Sequence, residues 1–406
     1  MISDPLNQFA QICEETLLLC SQKVNKTLKQ NIVEVLTFYM ALNSRINFTQ
    51  MGKAGKRIEQ TYRTVFQKDF DWLEFNSILA DKYFSHETRK AIAIDPSYIP
   101  KSGKHTAFLD YYWSGAAGQA KWGLEILAIA LLGIDTHDCI SLYAQQKPDN
   151  ITLERYDSNL VDWYARIIET YCKQMLKQSK YLVADAFFAI KPFVDRMLQC
   201  GFDVVSRLRD NAYLTYLTDE CDRHTGRRGA PRKYGKRIDI NNLDMNVFKK
   251  VKLDIDDGGL YSATVYAKAL KRNVKLVVWK GSKGQYKLYF STDLNMSAID
   301  VIEYYRTRFQ IEFRIRDAKQ YAGLTHCQAR HTDKLGFAFN ASFASVNVAK
   351  LIIQQLQPNM PVGEFKKLIS SQFLIRRILS QSGIFPNQRI NTKIVKELLD
   401  FAANAA

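Results

Sequence analysis

The chain has 406 residues, and its 47% of hydrophobic residues predict a folded protein of two or three domains and exclude a disordered one. Its 57 Lys and Arg against 41 Asp and Glu give a net charge of +16, which favours a polyanionic partner such as nucleic acid; an anionic membrane surface and simple solubility are the alternatives. The seven cysteines contain no CxxC pair, so neither a zinc cluster nor a disulfide framework is expected, and a reducing cytoplasm is predicted.

Residues 1–90 are predicted to be helical, because apolar residues recur along them at helical spacing. Within this region, 48–54 and 56–67 have the pattern of two short helices joined by a turn at Gly55, as in a helix-turn-helix. The apolar face of the second helix would consist of Ile58, Tyr62, Val65 and Phe66. Its polar face, suited to reading a DNA groove, would consist of Arg57, Gln60, Thr64 and Gln67. An ordinary amphipathic helix with a solvated polar face is the alternative.

From residue 91 the pattern becomes that of strands. A short apolar run ends at Asp95, and the strand is expected to end there because Pro96 has no N–H for a sheet ladder. A second apolar run, 181–184, ends at Asp185. Further strands are predicted over 108–113, 124–132 and 202–208, and helices over 153–176 and 191–198. This order predicts a mixed α/β sheet with helices on its faces.

Residues 210–296 have the pattern of a β-rich insertion, since strand-like pieces alternate with glycine turns. The pieces cover 247–255, 262–267, 274–279 and 285–291. Ahead of them, 222–237 carries seven Lys and Arg against one Asp. A contact with the DNA backbone is favoured over a solvated loop for this segment, and the candidate residues are Arg227, Arg228, Arg232 and Lys233. Arg207 and Arg209, on the preceding strand, are further DNA-binding candidates, although exposed strand residues would look the same.

A long helix is predicted from the capping pattern at 297–300 to about Tyr321. At 100° per residue, four of its side chains fall within about 60° of one face. They are Tyr305, Arg308, Glu312 and Lys319. A carboxylate flanked by two cations and a phenol suits a helix that holds a metal and neighbouring phosphates. An exposed face with weak ion pairs is the alternative. Residues 336–406 predict two or three more helices.

The spacing of Tyr305, Arg308, Glu312 and Lys319 resembles the signature of DDE transposases of the insertion-sequence-four group. Asp185, followed by a small residue and two aromatics, is similar to the family's second aspartate motif, and Asp95 is similar to the first. The resemblance covers about residues 45–335. It departs from the family pattern at Pro96, where a polar residue is frequent, and at Ala186, where glycine is common.

The resemblance implies an RNase H-like core over 91–335 that includes the insertion 210–296. A helical DNA-binding region over 1–90 would precede it and a helical region over 336–406 would follow. It implies that Asp95, Asp185 and Glu312 are catalytic and hold two Mg²⁺ ions, for which Mn²⁺ could substitute. Tyr305, Arg308 and Lys319 would contact DNA.

The activity implied is metal-dependent cleavage of transposon ends and strand transfer into target DNA. The partner would be double-stranded DNA, bound by a homodimer in the bacterial cytoplasm at the nucleoid. No membrane partner is expected, because the longest apolar run, 126–132, is too short to span a bilayer. Two rival functions remain: a catalytically inactive, transposase-derived regulator, and an RNase H-like nuclease that cuts without joining.

Overall fold

The computed structural model describes residues 4–217, 234–251 and 258–381. The chain begins with helices, as the sequence predicts. They are α1 (Pro5–Leu19), α2 (Lys26–Ala41), α3 (Phe48–Ala54), α4 (Glu59–Val65) and α5 (Trp72–Tyr83). Asp4, Asn25, Asn47 and Asp71 cap four of these helices, because each side chain accepts a hydrogen bond from an otherwise unpaired N–H of the first turn.

A mixed sheet follows the helices. Its first strands are β1 (Lys90–Pro100), β2 (Asp110–Ser114), β3 (Gln119–Gly133), β4 (Asp138–Gln146), β5 (Tyr181–Val183) and β6 (Asp203–Leu208). The pairs β4–β3 and β3–β1 are antiparallel, whereas β1–β5 and β5–β6 are parallel. The crossovers are α6 (Asn150–Arg155) with α7 (Leu160–Met175), and α8 (Lys191–Cys200). A mixed sheet with helices on its faces confirms the predicted RNase H-like fold class.

The strand β1 continues beyond Asp95, so the expected end at Pro96 is wrong. Pro96 pairs with Leu127 of β3, and the antiparallel ladder runs on to Pro100. On the other side of β1, β5 pairs only with Ile92 and Ala93. Because that side has no paired strand near Pro96, a residue without an N–H can stand there without breaking a ladder bond.

The predicted insertion extends the core sheet. Its strands are β7 (Leu214–Thr215), β8 (Lys249–Val251), β9 (Gly259–Ala267), β10 (Arg272–Lys280) and β11 (Tyr286–Ser291). The strand β11 pairs antiparallel with β6, with Leu288 opposite Leu208. Within the described residues the result is one 11-stranded sheet, in which β11, β10 and β9 continue outward from β6.

The helix expected over 298–321 is two helices, α9 (Ala298–Thr307) and α10 (Gln310–Tyr321). The N–H groups of Arg308 and Phe309 donate to carbonyls three residues back, each at 3.3 Å. This is the spacing of a 3₁₀ turn, which is tighter than an α-helix. Glu312 therefore lies in the first turn of α10, where the helix dipole favours a negative charge.

Two further helices close the described chain, α11 (Thr332–Leu356) and α12 (Val362–Gln381). They pack against the N-terminal helices. Ser345 Oγ donates to the carbonyl of Leu36 at 3.1 Å, Lys366 Nζ donates to that of Leu42 at 2.9 Å, and the N–H of Leu6 donates to Gln372 Oε1 at 3.0 Å. The helices from the two ends of the chain thus support each other.

The helix α11 covers the edge of the sheet at β4. Asn340 accepts from the N–H of Ala144 at 2.8 Å and donates to its carbonyl at 2.9 Å, and Asn347 makes the same pair of bonds with Ser141 at 3.1 and 2.7 Å. Two buried amides thereby replace a neighbouring strand. By length and composition α11 could cross a membrane, but most of it is buried inside the described structure.

We expect Asn340→Ala to lower the free energy of unfolding, because it leaves the N–H and carbonyl of Ala144 buried without partners. Each unsatisfied group should cost about 1–3 kcal/mol. Urea denaturation followed by circular dichroism measures this loss. Gln355→Ala, at an exposed position on the same helix, is the control. Equal stability of the two variants would show that β4 does not depend on the amide.

Candidate active site

The face of the sheet beneath α10 is lined by small residues. Ala91, Ala93 and Asp95 alternate along β1, and Ala130 and Ala128 stand opposite the last two on β3. The four alanines are fully or almost fully buried. Because their side chains end at Cβ, a helix can lie close to the strands on this face. The sequence of β1 and β3 thus allows α10 to bring its polar side chains to Asp95.

Lys319 ties α10 to β1. Its Nζ donates to Ser97 Oγ at 3.0 Å and to the carbonyl of Tyr98 at 2.7 Å. Burial lowers the pKa of Lys319, and the nearby carboxylate of Asp95 acts in the opposite direction. In the structure Lys319 therefore holds the helix against the strand. The sequence-based prediction of a DNA contact for Lys319 stays a prediction.

The guanidinium of Arg308 lies between two carboxylates. Its Nη2 donates to Glu312 Oε1 at 3.1 Å, and its Nη1 is 3.5 Å from Asp95 Oδ1. The Arg308 side chain is only 6% exposed, whereas that of Glu312 is 44% exposed. Arg308 thus joins the strand carboxylate to the helix carboxylate, and Glu312 remains open to solvent.

Asp185 lies near Asp95 because the strand before it, β5, pairs in parallel with β1. Ala93 pairs in parallel with Val183, so Asp95 and Asp185 each stand two residues beyond this pair. The chain turns after Asp185, whose Oδ1 accepts from the N–H of Phe187 at 2.5 Å. Ser206 Oγ on β6 donates to the Asp185 carbonyl at 3.1 Å and steadies the turn.

The three carboxylates share one electrostatic environment. Burial raises the pKa of Asp95 to about 7, and the negative charges of Glu312 and Asp185 act in the same direction, while Arg308 and Lys319 oppose them. The carboxylates of Glu312 and Asp185 therefore each make ionisation of Asp95 more costly, as expected where like charges converge. Such a site calls for positive charge near the carboxylates.

The donor set suits a hard divalent cation, since carboxylate oxygens are the ligands that Mg²⁺ and Mn²⁺ prefer. In the part of the chain that the structure describes, no group of three or more His, Cys, Asp or Glu is arranged to hold a metal ion. Asp95 and Glu312 are instead each turned towards Arg308.

The other candidate residues lie at different distances from this centre. The ring of Tyr305 packs against Tyr289 of β11, with centroids 5.1 Å apart, and the Arg308 guanidinium lies 5.8 Å from its centroid. Arg207 pairs with Asp210 at 2.8 Å, and Arg209 is exposed. The basic candidates Arg227, Arg228, Arg232 and Lys233 lie outside the described residues.

The helix-turn-helix pattern is present as α3 and α4. Tyr62, Val65 and Phe66 are buried, as predicted, but Ile58 is 73% exposed because it precedes α4 as its N-cap residue. The turn requires a glycine, since a Cβ at Gly55 would stand 2.0 Å from the hydroxyl of Tyr62. The predicted polar face is exposed; it consists of Arg57, Gln60, Thr64 and Gln67.

Two family models match the chain. Residues 22–252, more than half of its length, match DDE superfamily endonuclease, and residues 159–348 match the transposase DDE domain. The chain belongs to the DDE superfamily. The first match contains Asp95 and Asp185, and the second contains Asp185 and Glu312. No curated protein matches the chain.

Together the two matches identify the chain as a DDE transposase, a family that acts on DNA. The finer assignment to the insertion-sequence-four group stays a prediction.

A buried ion cluster that the sequence did not reveal holds the Glu312 helix of this DDE transposase in place. Arg314 on α10 binds Asp138 of β4 at 2.5 Å and Asp317 at 3.0 Å, and Lys350 of α11 reaches Asp138 at 2.8 Å. Burial by itself would raise the pKa of Asp138, but Arg314 and Lys350 outweigh it and lower the pKa to about 2. In the sequence, the only local sign of this cluster was Arg314, which stands two residues after Glu312 and therefore points to the opposite side of the helix.

We expect Asp138→Asn to destabilise the protein by about 3–5 kcal/mol, because it leaves buried Arg314 and half-buried Lys350 without their shared anion. Since the folded pKa is about 2 and the ordinary value is 3.8, the contribution of Asp138 is present above pH 4 or so and is lost as the pH falls towards 2. The difference in unfolding free energy between wild type and variant should shrink over that range.

Urea denaturation at a series of pH values measures this difference. Asp81→Asn, which alters an exposed carboxylate on α5, is the control and should change little at any pH. A difference for Asp138→Asn that stays constant from pH 6 to 3 would mean that Asp138 does not hold its charge through this cluster.

Proposed function

We propose that this chain cleaves DNA at transposon ends and joins the cleaved ends to target DNA, with Asp95, Asp185 and Glu312 as the metal-ligating catalytic carboxylates. The observation that carries the proposal is the convergence of these carboxylates. Asp95 and Glu312 share Arg308, and Asp185 stands at the same sheet edge and raises the pKa of Asp95. Such a costly gathering of like charges is typical of a functional site.

The metal is proposed to be Mg²⁺, with Mn²⁺ able to substitute. Bound between carboxylates and phosphate, such ions would activate the attacking oxygen and stabilise the leaving one. Glu312 is the most exposed of the charged groups around Arg308, so its carboxylate is open to an ion arriving with DNA. Asp95, on a paired strand, provides the rigid side of the site.

Arg308 and Lys319 are proposed to position the carboxylates. Arg308 is buried and its guanidinium is directed to Asp95 and Glu312, so it sets the distance between strand and helix. Lys319 fixes α10 two turns further on. The geometry favours this role over the direct DNA contact that the sequence suggested for both residues. Tyr305 and Arg207, nearer the surface, remain candidates for holding a phosphate.

The isosteric substitutions Asp95→Asn, Asp185→Asn and Glu312→Gln should each abolish cleavage of transposon-end DNA while leaving DNA binding close to that of the wild type. The physical reason is that an amide keeps the shape of the side chain but loses the charge that a hard cation requires. Cleavage with added Mg²⁺ or Mn²⁺, and after chelation by EDTA, is followed on labelled DNA.

Glu364→Gln, which alters an exposed carboxylate on α12, is the matched control and should cleave normally. Retained cleavage in one of the three variants would remove that residue from the ligand set. If the wild type cleaves as well in EDTA as in Mg²⁺, the metal-dependent mechanism is wrong. A wild-type protein that binds ends without cutting them would favour the inactive regulator.

Joining is tested separately from cutting, because a nuclease of the same fold would only cut. A precut end with a free 3′-hydroxyl already has the group that attacks target DNA, so the wild type should join it to a plasmid. Cleavage without joining would favour the nuclease. The homodimer in the DNA complex and the nucleoid location stay predictions.

Residues 1–90 are proposed to read the transposon end through α4, whose polar face is exposed. Deleting the region would not test this, because α1 and α2 pack against α11 and α12 and stabilise the whole chain. Substitutions on the exposed face leave that packing intact.

We expect Gln60→Ala combined with Thr64→Ala to reduce the preference for end sequence over random DNA by about 1–3 kcal/mol for each base that the variant no longer reads. Affinity for random DNA should hardly change, since neither residue is charged. Competition binding at fixed salt measures both quantities. Gln30→Ala, exposed on α2, is the control. An unchanged preference in the double variant would place sequence reading elsewhere.

A further inference from the structure

A wide basic cleft opens at the end of β1, beyond the active-site carboxylates. Its volume is about 1120 Å³, and Tyr98, Pro100 and the 101–106 loop form one side of it. The segment 325–330 forms the other side. Its lining carries the cations Arg45, Lys101, Lys104 and Arg330 and the imidazoles of His105 and His326, with no Asp or Glu among the described residues that line it. A cleft of one charge sign attracts an ion of the opposite sign.

In the part of the chain that the structure describes, the cations of this cleft have no anionic partners. Among the described residues, Arg45, Lys104 and Arg330 are exposed and form no salt bridge with a carboxylate. Lys101 donates to the carbonyls of Cys327 and Ala329, at 2.6 and 2.9 Å. Burial lowers the pKa of His326, and the charges of Arg45 and Lys366 act in the same direction. Bound phosphates would relieve this repulsion.

Aromatic rings extend the cleft along the hairpin of β2 and β3. Tyr111 stands opposite Trp122, and Trp113 stands opposite Ala120, so all three rings lie on one face of the hairpin. Tyr111 is 63%, Trp113 65% and Trp122 40% exposed, and Trp122 also lines the cleft. On the other face Tyr112 is buried. Three neighbouring exposed rings form an apolar patch, and such a patch on a protein surface is typical of a binding site.

Hydrogen bonds hold the walls of the cleft in position. Trp122 Nε1 donates to the carbonyl of Gly103 at 3.1 Å, and the Tyr98 hydroxyl donates to the carbonyl of Trp122 at 2.7 Å. Across the cleft, the N–H of Ala107 donates to the carbonyl of Arg330 at 3.1 Å. The basic loop, the aromatic hairpin and the 325–330 segment are therefore fixed relative to β1.

We propose that this cleft binds a single-stranded stretch of the DNA that leaves the active site, with its phosphates on the cations and its bases stacked on Tyr111, Trp113 and Trp122. The inference rests on the proposed function, because it assumes DNA at Asp95. Pro100 is five strand residues beyond Asp95, or about 16 Å. That is the length of about five stacked nucleotides at a spacing of about 3.4 Å.

The combination of rings and cations favours a single strand over a duplex. In a duplex the base faces are already stacked on one another, so exposed rings gain nothing, whereas unpaired bases stack on aromatic side chains. The absence of acidic residues from the described lining disfavours a basic protein partner. A second copy of this chain, with the same basic cleft, would be repelled by it.

The hairpin is tested with the double variant Tyr111→Ala/Trp113→Ala and with Trp113→Phe. Anisotropy at fixed salt measures binding to oligothymidylate of about 16 nucleotides and to a duplex of equal length. The double variant should weaken single-strand binding at least about tenfold, because bases can no longer stack on the two rings, and duplex binding about twofold or less. Trp113→Phe, which keeps a ring for stacking, should weaken single-strand binding much less than the double variant does. Tyr156→Ala, which removes a similarly exposed ring just after α6, is the control.

The cations are tested by Lys104→Glu with Arg330→Glu. Both DNA forms should bind more weakly, and the slope of log affinity against log salt should fall by about 0.7 for each single-strand phosphate that no longer meets a cation. Lys177→Glu is the matched control, because Lys177 precedes β5 at the end of that strand opposite Asp185. Circular dichroism of every variant verifies that it folds.

Unchanged single-strand binding in the folded hairpin variant, or equal losses for single strand and duplex, would overturn the inference. So would a change of oligomeric state in sedimentation with DNA binding intact, because the hairpin would then be a protein interface. The test is separate from that of the proposed function. A wild type that binds neither form of DNA contradicts the function itself, whereas DNA binding that ignores the hairpin contradicts only the cleft.

Discussion

Mutual repulsion of carboxylates is the constraint around which the centre of this molecule is arranged. Asp95, Asp185 and Glu312 belong to three separate elements, and the negative charges of Asp185 and Glu312 make Asp95 harder to ionise. Arg308 offsets part of this cost because its buried guanidinium contacts two of the three. The strand that carries Asp95, the turn that follows Asp185 and the helix that carries Glu312 can therefore pack side by side. Arg308 lies four residues before Glu312, so one short segment of the chain provides both this carboxylate and the cation that compensates its charge.

Carboxylates that repel one another must be held in place by the residues around them, and several contacts in the structure do this. Lys319 fastens α10 to β1, and the ion cluster of Asp138, Arg314 and Lys350 fastens the same helix to β4 and α11. The amides of α11 in turn close the edge of β4. Because α11 also packs on the N-terminal helices, stability at the candidate active site depends on residues from both ends of the chain.

Outside the group of carboxylates, cationic side chains are distributed unevenly over the surface. Asp95 lies in the middle of β1, and the cleft at the end of that strand is lined by cations among the described residues. A polyanion attracted by these cations would bind at the end of β1, about 16 Å from Asp95. The net charge of +16 is consistent with this arrangement, although charge alone could not say where on the surface the cations gather. Their position depends on the 101–106 loop meeting the 325–330 segment, which are far apart in the chain.

Local patterns in the sequence were sufficient for much of the framework. Apolar runs predicted β1 and β5 and placed Asp95 and Asp185 after buried residues, because a buried strand needs consecutive apolar side chains. The glycine at residue 55 predicted the turn between α3 and α4, and the structure shows that a side chain at this position would strike Tyr62. The spacing from Tyr305 to Lys319 indicated the DDE family, which the matches to family models confirm.

Long-range contacts decided the rest. Whether Arg308 would face DNA or the carboxylates depends on how closely α10 lies on β1, which the opposing alanines of β1 and β3 allow only once those strands have paired. The insertion joins the core sheet because β11 finds the free edge of β6, and no pattern within β11 records that partner. The strand β1 continues past Pro96 because its second side is unpaired there. Sequence periodicity reports which face of an element is buried; what covers that face is settled only when distant elements meet.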